Sequence, residues 1–490
     1  MKFSETALVD QQTASPPVIE TSKVKESAST SKRLLVGQIA CVVVPALIWL
    51  GPIDLELRAK HALAIASFMI IAWMTEAFEH SLTGLVGCYL LWTLDVAKFE
   101  TAFGGFASPS PWFIFGALLL GMTVTKSGLG QRLAYLVLAR TGTTYSRILL
   151  GFVLVSFLLT LVVPSGSACI TIKATVALGL IQAFGLLPGS NIARAIFLML
   201  TYSATLFNKM VIAGSSAILV RGVVQEMAQT EILWSRWLLA FLPCTIVTIL
   251  VLWRLALALF PAEKDISVQG DEFFRCSLEQ LGPWTRQEKK AAALLGATVA
   301  LWMTDFAHHL SPSVIGIGAG LFAALPYVGV LQAKDVKKVN YGPVFFVAAA
   351  LSLGEVLVNT RAMDVLTIGM FSWMNSVITD NSSFCVAAYW TGFAYHLFAG
   401  SGIAMMSTSV PPLVNLAQTH GLNPLPIAMI WAFSGAAKLF VYQSSTLILG
   451  YSYGYFSNRD LFRFGAWMTL IEFLVLFLLV TFYWPLIGLG

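Results

Sequence analysis

Long apolar runs separated by short polar loops set the pattern of this chain. About ten of them reach the roughly 20 residues that a helix needs to cross a hydrocarbon core. Leu35 to Leu50, Leu238 to Phe260 and Trp467 to Leu489 are examples. The pattern predicts spans near 34–50, 62–77, 82–95, 111–125, 195–220, 237–260, 288–306, 313–330, 342–358, 425–450 and 464–488. Two more apolar stretches, 148–184 and 384–418, are interrupted by Val163-Pro164-Ser165-Gly166-Ser167 and by Ala399-Gly400-Ser401-Gly402. Backbone can leave helical geometry at membrane depth only where buried protein or a water-filled cavity satisfies its polar groups. Each interruption therefore reads as the tip of a re-entrant hairpin.

The two halves of the chain repeat one another. When Ser165-Gly166-Ser167-Ala168 is laid on Ser401-Gly402-Ile403-Ala404, Leu180 meets Leu416, Gln182 meets Gln418, Gly185 meets Gly421, Leu186 meets Leu422 and Pro188 meets Pro424. Every pair is 236 residues apart. Shared hydrophobicity does not explain matched Ser, Gln and Pro, so the chain reads as an internal duplication. Five predicted spans lie between the hairpins, an odd number, which inverts the second repeat relative to the first.

The expected fold is an all-α membrane protein of about eleven transmembrane helices and two re-entrant hairpins in two inverted-topology repeats. Residues 1–33, rich in Ser, Thr, Lys and Glu, are expected to be a disordered cytoplasmic tail. Residues 34–60 hold the first span and its loop, 61–261 the first repeat with hairpin 148–184, 262–287 a polar cytoplasmic linker, and 288–490 the second repeat with hairpin 384–418. Lys126, Arg132, Arg140, Arg147, Lys289, Lys290, Lys334, Lys337, Lys338, Arg459 and Arg463 fall on the face shared with the tail. The positive-inside rule makes that face the cytoplasm, with Arg58, Lys60 and Arg361 as exceptions.

Composition agrees. Hydrophobic residues make up 57% of the chain and charged residues 11%, with a mean hydropathy of +0.78, which excludes a soluble domain on an anchor. The net charge of +5 is accounted for by bases beside spans, so no nucleic-acid partner is expected. The six cysteines have no paired short spacing, and no grouping of His, Asp and Glu supplies an enzyme's nucleophile or metal. An enzyme is not expected. The stripe Gly316, Gly318, Gly320 reads as helix packing, because no Lys-Ser or Lys-Thr pair follows it.

Broken helices at the membrane midplane offer half-helix N-termini to an anion. At the tips, Ser165, Gly166, Ser167, Ser401, Gly402 and Ile403 are the candidate substrate-binding residues: hydroxyls donate to carboxylate oxygens, and glycine leaves amides open. Small residues of this kind also pack helices together. A second polar break follows each hairpin, with Asn208, Lys209, Gly214, Ser215 and Ser216 in the first half and Lys438, Gln443, Ser444 and Ser445 in the second. These breaks either hold a small cation such as sodium or replace one with a fixed charge; their hydroxyls could equally bond back to their own helices. A lysine at a helix centre costs at least ~2.5 kcal/mol unless paired or hydrated. Lys209 and Lys438 therefore read as partners of an anion, whereas Lys173 could snorkel to an interface. His396 is either a neutral hydrogen-bonding partner or a proton sensor.

These residues resemble the divalent anion:sodium symporter family of the ion transporter superfamily over nearly the whole chain from Leu34. Trp73-Met74-Thr75-Glu76-Ala77 is similar to its early Trp-x-Thr-Glu-Ala segment, and Lys126-Ser127-Gly128-Leu129 with Arg132-Leu133-Ala134 to its Lys-Thr-Gly-Leu-x-x-Arg stretch. Gly450-Tyr451, Gly454-Tyr455, Arg459-Asp460-Leu461 and Gly465 resemble the close of its last repeat. That family carries Ser-Asn-Thr at each tip and Thr-Pro-Pro-Asn at each break. Here the tips keep the serine and lose the asparagine, the second tip has Ile403 for threonine, and the breaks read Gly214-Ser215-Ser216 and Gln443-Ser444-Ser445. Such departures are closer to the family's citrate and dicarboxylate antiporter branch.

The resemblance implies a homodimeric secondary transporter of di- or tricarboxylates in the cytoplasmic membrane, working by alternating access and anion exchange. It implies no cofactor beyond a coupling sodium ion. Sodium-coupled symport of dicarboxylate or a sulfate-like oxyanion is the alternative mechanism. A membrane receptor that binds an anion without moving it is the alternative of another class.

Overall fold

The computed structural model describes residues 28–377, 381–399 and 401–489, and the regular structure among them is helical throughout. The expected tail lies outside the described residues as far as residue 27. From Ala28 the chain is already helix α1 (Ala28–Leu50), which corrects the boundary set at the apolar run. Adding residues to an existing helix requires no new nucleation, so α1 continues past its apolar part.

Helices α2 (Leu57–Thr75) and α3 (His80–Thr93) precede α4 (Pro109–Ser127) and α5 (Leu129–Thr141). Gly128, at φ +80°, bends α4 into α5 by 71°. The first hairpin is α6 (Tyr145–Thr160) and α7 (Gly166–Ala183), with its tip at 161–165. The next expected span is cut at 211–214 into α8 (Asn191–Met210) and α9 (Ser215–Ala228), and α10 (Trp234–Leu259) follows. Within the polar 262–287 stretch, α11 (Ser267–Gln280) is helical.

The same order then recurs. It runs through α12 (Arg286–Met303), α13 (Pro312–Ala324), α14 (Gly342–Asn359) and α15 (Ala362–Phe371) to the second hairpin, α16 (Asn381–Phe398) and α17 (Gly402–Thr419). Arg361 at φ +61° turns α14 into α15, as Gly128 does in the first half. Another expected span is cut at 435–444 into α18 (Pro424–Ser434) and α19 (Ser445–Ser452), and α20 (Asn458–Leu478) closes the chain. Gly400, expected at the second tip, lies outside the described residues. By length and composition six helices among the described residues can cross a membrane, or seven if α4 and α5 form one bent span. Helices α8 and α9 count together as one of the six, whereas the break at 435–444 leaves α18 as a shorter apolar helix.

The halves exchange partners. Helix α13 of the second half packs along α4 of the first, and α3 of the first packs along α14 of the second. Glycine makes both crossings close: a Cβ on Gly320 would stand 2.6 Å from Gly116 Cα, and one on Gly84 would stand 2.6 Å from Ala349 Cβ. Gly316 and Gly320 of the glycine stripe are packing residues, while Gly318 faces open space. At one end of this scaffold Lys126 Nζ meets Asp335 Oδ2 at 2.6 Å and donates to Val330 O at 3.0 Å. Arg132 Nε meets Glu288 Oε1 at 2.5 Å there, and its Nη atoms donate to Leu281 O and Gly282 O. Both basic residues belong to the Lys126-to-Ala134 motif, which ties the ends of α4 and α5 to the second half.

A candidate anion site between four helix N-termini

Proline, glycine and serine end a helix and start another without a bulky side chain between them, and this chain does so four times around one point. Helix α7 starts at Gly166, α9 at Ser215, α17 at Gly402 and α19 at Ser445. The first residues of all four line a single cavity of about 310 Å³. Each N-terminus presents N–H groups without intrahelical partners and the positive end of its dipole. Ser165 caps α7, its Oγ accepting from Ala168 N–H at 3.3 Å, which leaves the hydroxyl proton available to the cavity. Ser444 Oγ accepts from Thr446 N–H at 3.3 Å in the same way. Glycine is required at the first tip because a Cβ on Gly166 would lie 2.7 Å from Thr446 Oγ1.

Two lysines complete the lining. Lys209 and Lys438, 4% and 3% exposed, both reach the cavity. They are 229 residues apart, the spacing that also separates Ser215 from Ser444 and Ser216 from Ser445. The two breaks therefore place a lysine and two serines at the same spacing. Their backbones are pinned alike: Trp237 Nε1 donates to Lys209 O at 3.3 Å, and Tyr202 donates to Lys438 O at 3.3 Å while accepting from Lys438 N–H at 2.9 Å. Their ammonium groups differ. Lys438 Nζ meets His396 Nε2 and Gly435 O, whereas Lys209 Nζ is buried without a hydrogen-bond partner among the described residues. A Cβ added to Gly402 would lie 3.4 Å from Lys209 Nζ and 4.0 Å from Lys438 Nζ, so the second tip stands between both charges. Among the described residues, no acidic side chain lines this cavity.

Ser165, Gly166, Ser167, Ser401, Gly402, Ile403, Asn208, Lys209, Ser215, Ser216, Lys438, Ser444 and Ser445 all come together here. Gly214 and Gln443 do not reach the lining. Gly214 lies against the Asn208 backbone, and Gln443 Oε1 accepts from Leu439 N–H and Phe440 N–H, holding the second break in shape. Asn208 Nδ2 donates to Pro164 O at 3.4 Å, joining the first break to the first tip. Lys173 is not an interfacial side chain. It is fully buried, donates to Ser156 Oγ and to Leu200 O, and so fastens both arms of the first hairpin to α8. Its snorkelling reading is overturned because those acceptors satisfy it internally.

Thr205, Asn340, Pro343 and Thr446 also line the cavity. Thr205 stands four residues before Lys209 on α8 and so shares its face, a signal the sequence does contain. Asn340 and Pro343 come from the start of α14, and nothing local in the sequence marks them.

The profile described as "Sodium:sulfate symporter transmembrane region" matches residues 32–489. This chain belongs to that family, the divalent anion:sodium symporters.

Other sequences of this transporter family are similar throughout. A protein of Cupriavidus necator described as "Membrane protein" is 27% identical over 462 residues, covering 89% of each chain. The L-tartrate/succinate antiporters of Shigella dysenteriae and Escherichia coli K12 are each 23% identical over 485 residues, covering 91% of this chain and 97% of theirs. Among solved structures, the YdaH transporter of Alcanivorax borkumensis superposes with a TM-score of 0.55 at 14% identity, over 87% of this chain and 99% of that one. That likeness concerns the fold. The symporter family makes the chain a multi-pass membrane transporter, and its members and relatives are carriers rather than enzymes.

Proposed function

We propose that the chain is a secondary active transporter that exchanges di- or tricarboxylate anions across the cytoplasmic membrane by alternating access. The observation that carries this reading is the cavity itself: four helix N-termini and two lysines converge on it, with no carboxylate among its lining. Such a site attracts an anion carrying two or more charges, and backbone amides with serine hydroxyls supply its hydrogen bonds. Relatives that cover nearly the whole chain are named as antiporters of two dicarboxylates, which supports the substrate class.

Exchange follows from the lysines. With a dianion bound, Lys209 and Lys438 are compensated, whereas the empty cavity leaves fixed charge in a low-dielectric interior, at several kcal/mol per ion. The loaded carrier reorients and the empty one does not. In this reading the halves are inverted repeats, eleven helices cross the membrane, and the hairpins with α8–α10 and α18–α20 move against the remaining scaffold. The basic end is cytoplasmic with the N-terminus, and the cavity faces that side through Asn340 and Pro343. The carrier is a homodimer and needs no cofactor, the lysines standing where a sodium-coupled relative holds its cation.

Labelled succinate and citrate uptake into proteoliposomes tests the reading. Uptake that requires unlabelled anion inside and is indifferent to sodium is expected. Sodium-driven uptake into anion-free vesicles would make the protein a symporter, and binding without flux would make it a receptor.

A further inference from the structure

Near Lys438, outside the lining of the cavity, lies an acidic side chain that the exchange reading does not use. Glu472 on α20 is 1% exposed, and neither carboxylate oxygen has a hydrogen-bond partner among the described residues. The groups that face it are Lys438 from the second break, Tyr202 from α8, Cys244 from α10 and Tyr389 from α16. The tyrosines are already committed: Tyr389 donates to Thr469 O at 2.8 Å, and Tyr202 donates to Lys438 O. Cys244 Sγ lies 4.0 Å from Thr248 Oγ1. Of the four, Lys438 is the cation. Lys209 and His396 lie beyond it, both facing Lys438.

We propose that Glu472 is a proton-binding site linked to anion occupancy through Lys438. Helix α20 comes so close to the break that a Cβ on Gly465 would collide with Lys438 O. The backbone of Lys438 is thus fixed, while its long side chain can lean toward the cavity or toward Glu472. A bound dianion and an ionised Glu472 compete for the same ammonium. When the anion takes it, Glu472 is left as an unpaired buried carboxylate and binds one proton drawn from the aqueous cavity. When the anion leaves, Lys438 pairs with Glu472, which gives the proton back.

The charges balance in both states. Loaded, two lysines offset the dianion and Glu472 is neutral. Empty, Lys438 offsets Glu472, and Lys209, with no internal partner, keeps one uncompensated charge that holds the empty carrier in place. The inference rests on the reading of the cavity as an anion site. In one-for-one exchange the proton taken up with one anion is released with the next, so the linkage is visible in binding rather than in net flux.

The full chain in lipid nanodiscs, titrated with succinate by calorimetry near pH 7 in two buffers of different ionisation enthalpy, gives the number of protons bound. Wild type is expected to take up about one proton per anion. Glu472→Gln is expected to bind succinate with no uptake, and His396→Gln to retain it. Binding by wild type without uptake overturns the proposal and leaves the anion reading standing. Uptake retained in Glu472→Gln but lost in His396→Gln also overturns it, moving the proton to the histidine. No binding of succinate, tartrate or citrate overturns both readings. If Glu472→Gln does not fold, uptake lost in His396→Gln overturns the proposal, and the remaining readout is the pH dependence of wild type. Its affinity is expected to fall about tenfold per unit rise in pH around neutrality, and a flat profile overturns the proposal.

Discussion

The two polar breaks bring a lysine and serines at the same spacing to one cavity, yet they are built differently. The first holds Lys209 with nothing opposite its ammonium. The second surrounds Lys438 with His396 Nε2, Gly435 O and, further back, Glu472. The tips differ in parallel: Ser165 caps its helix, while Ser401 makes no such bond and is followed by Ile403 in place of a hydroxyl. Both halves aim helix ends at one point. One supplies a lysine without a hydrogen-bond partner among the described residues, the other a lysine already held by its neighbours.

Removing the lysines one at a time tests that difference most strongly. Lys209→Gln is expected to weaken anion binding by about 2–3 kcal/mol, roughly 30- to 150-fold, because all of its charge-assisted bonding goes to the anion. Lys438→Gln is expected to cost about 1–1.5 kcal/mol, roughly five- to twelvefold, since part of that ammonium's stabilisation is already internal. Equal losses measured by titration would erase the contrast. Next in size is the tip: Ile403→Thr returns a donor to the second half and is expected to shift relative affinities among C4 and C6 carboxylates by about 1 kcal/mol, roughly fivefold. An unchanged competition profile would place residue 403 outside anion contact.

The smallest effect lies away from the site, where the halves are tied at their basic end. The Lys126 hydrogen bond holds the Asp335 carboxyl below its usual value of 3.8. A depressed folded value means that the tie contributes fully above that usual value and is lost as pH falls through the depressed one. The small difference in thermal unfolding between wild type and Asp335→Asn should therefore be constant near neutrality and vanish in acid. A difference that persists in acid would mean that packing, not charge, joins these loops.

Much of the site is legible because chemistry that is costly in lipid must have a reason. Pro164, Gly166, Gly402, Lys209 and Lys438 stand out in apolar runs, and the structure gathers them around one cavity. Gly214 and Gln443 are equally conspicuous in sequence, yet they shape the breaks from behind, because a break needs residues to close its backbone as well as residues to face a ligand. Lys173 misleads for a related reason. Its partners Ser156 and Leu200 come from two other helices, so a short window of sequence cannot show that it is satisfied.

The sequence by itself determined the apolar runs, the places where they break and the family, because hydrophobic length and helix-breaking residues act locally. Tertiary structure decided which ends of those helices meet, that Asn340 and Pro343 join the lining, that among the described residues Lys209 Nζ has no hydrogen-bond partner while Lys438 Nζ does, and that Glu472 lies near Lys438. Those facts depend on contacts between segments hundreds of residues apart, and the charge of a buried group is set by its neighbours in space.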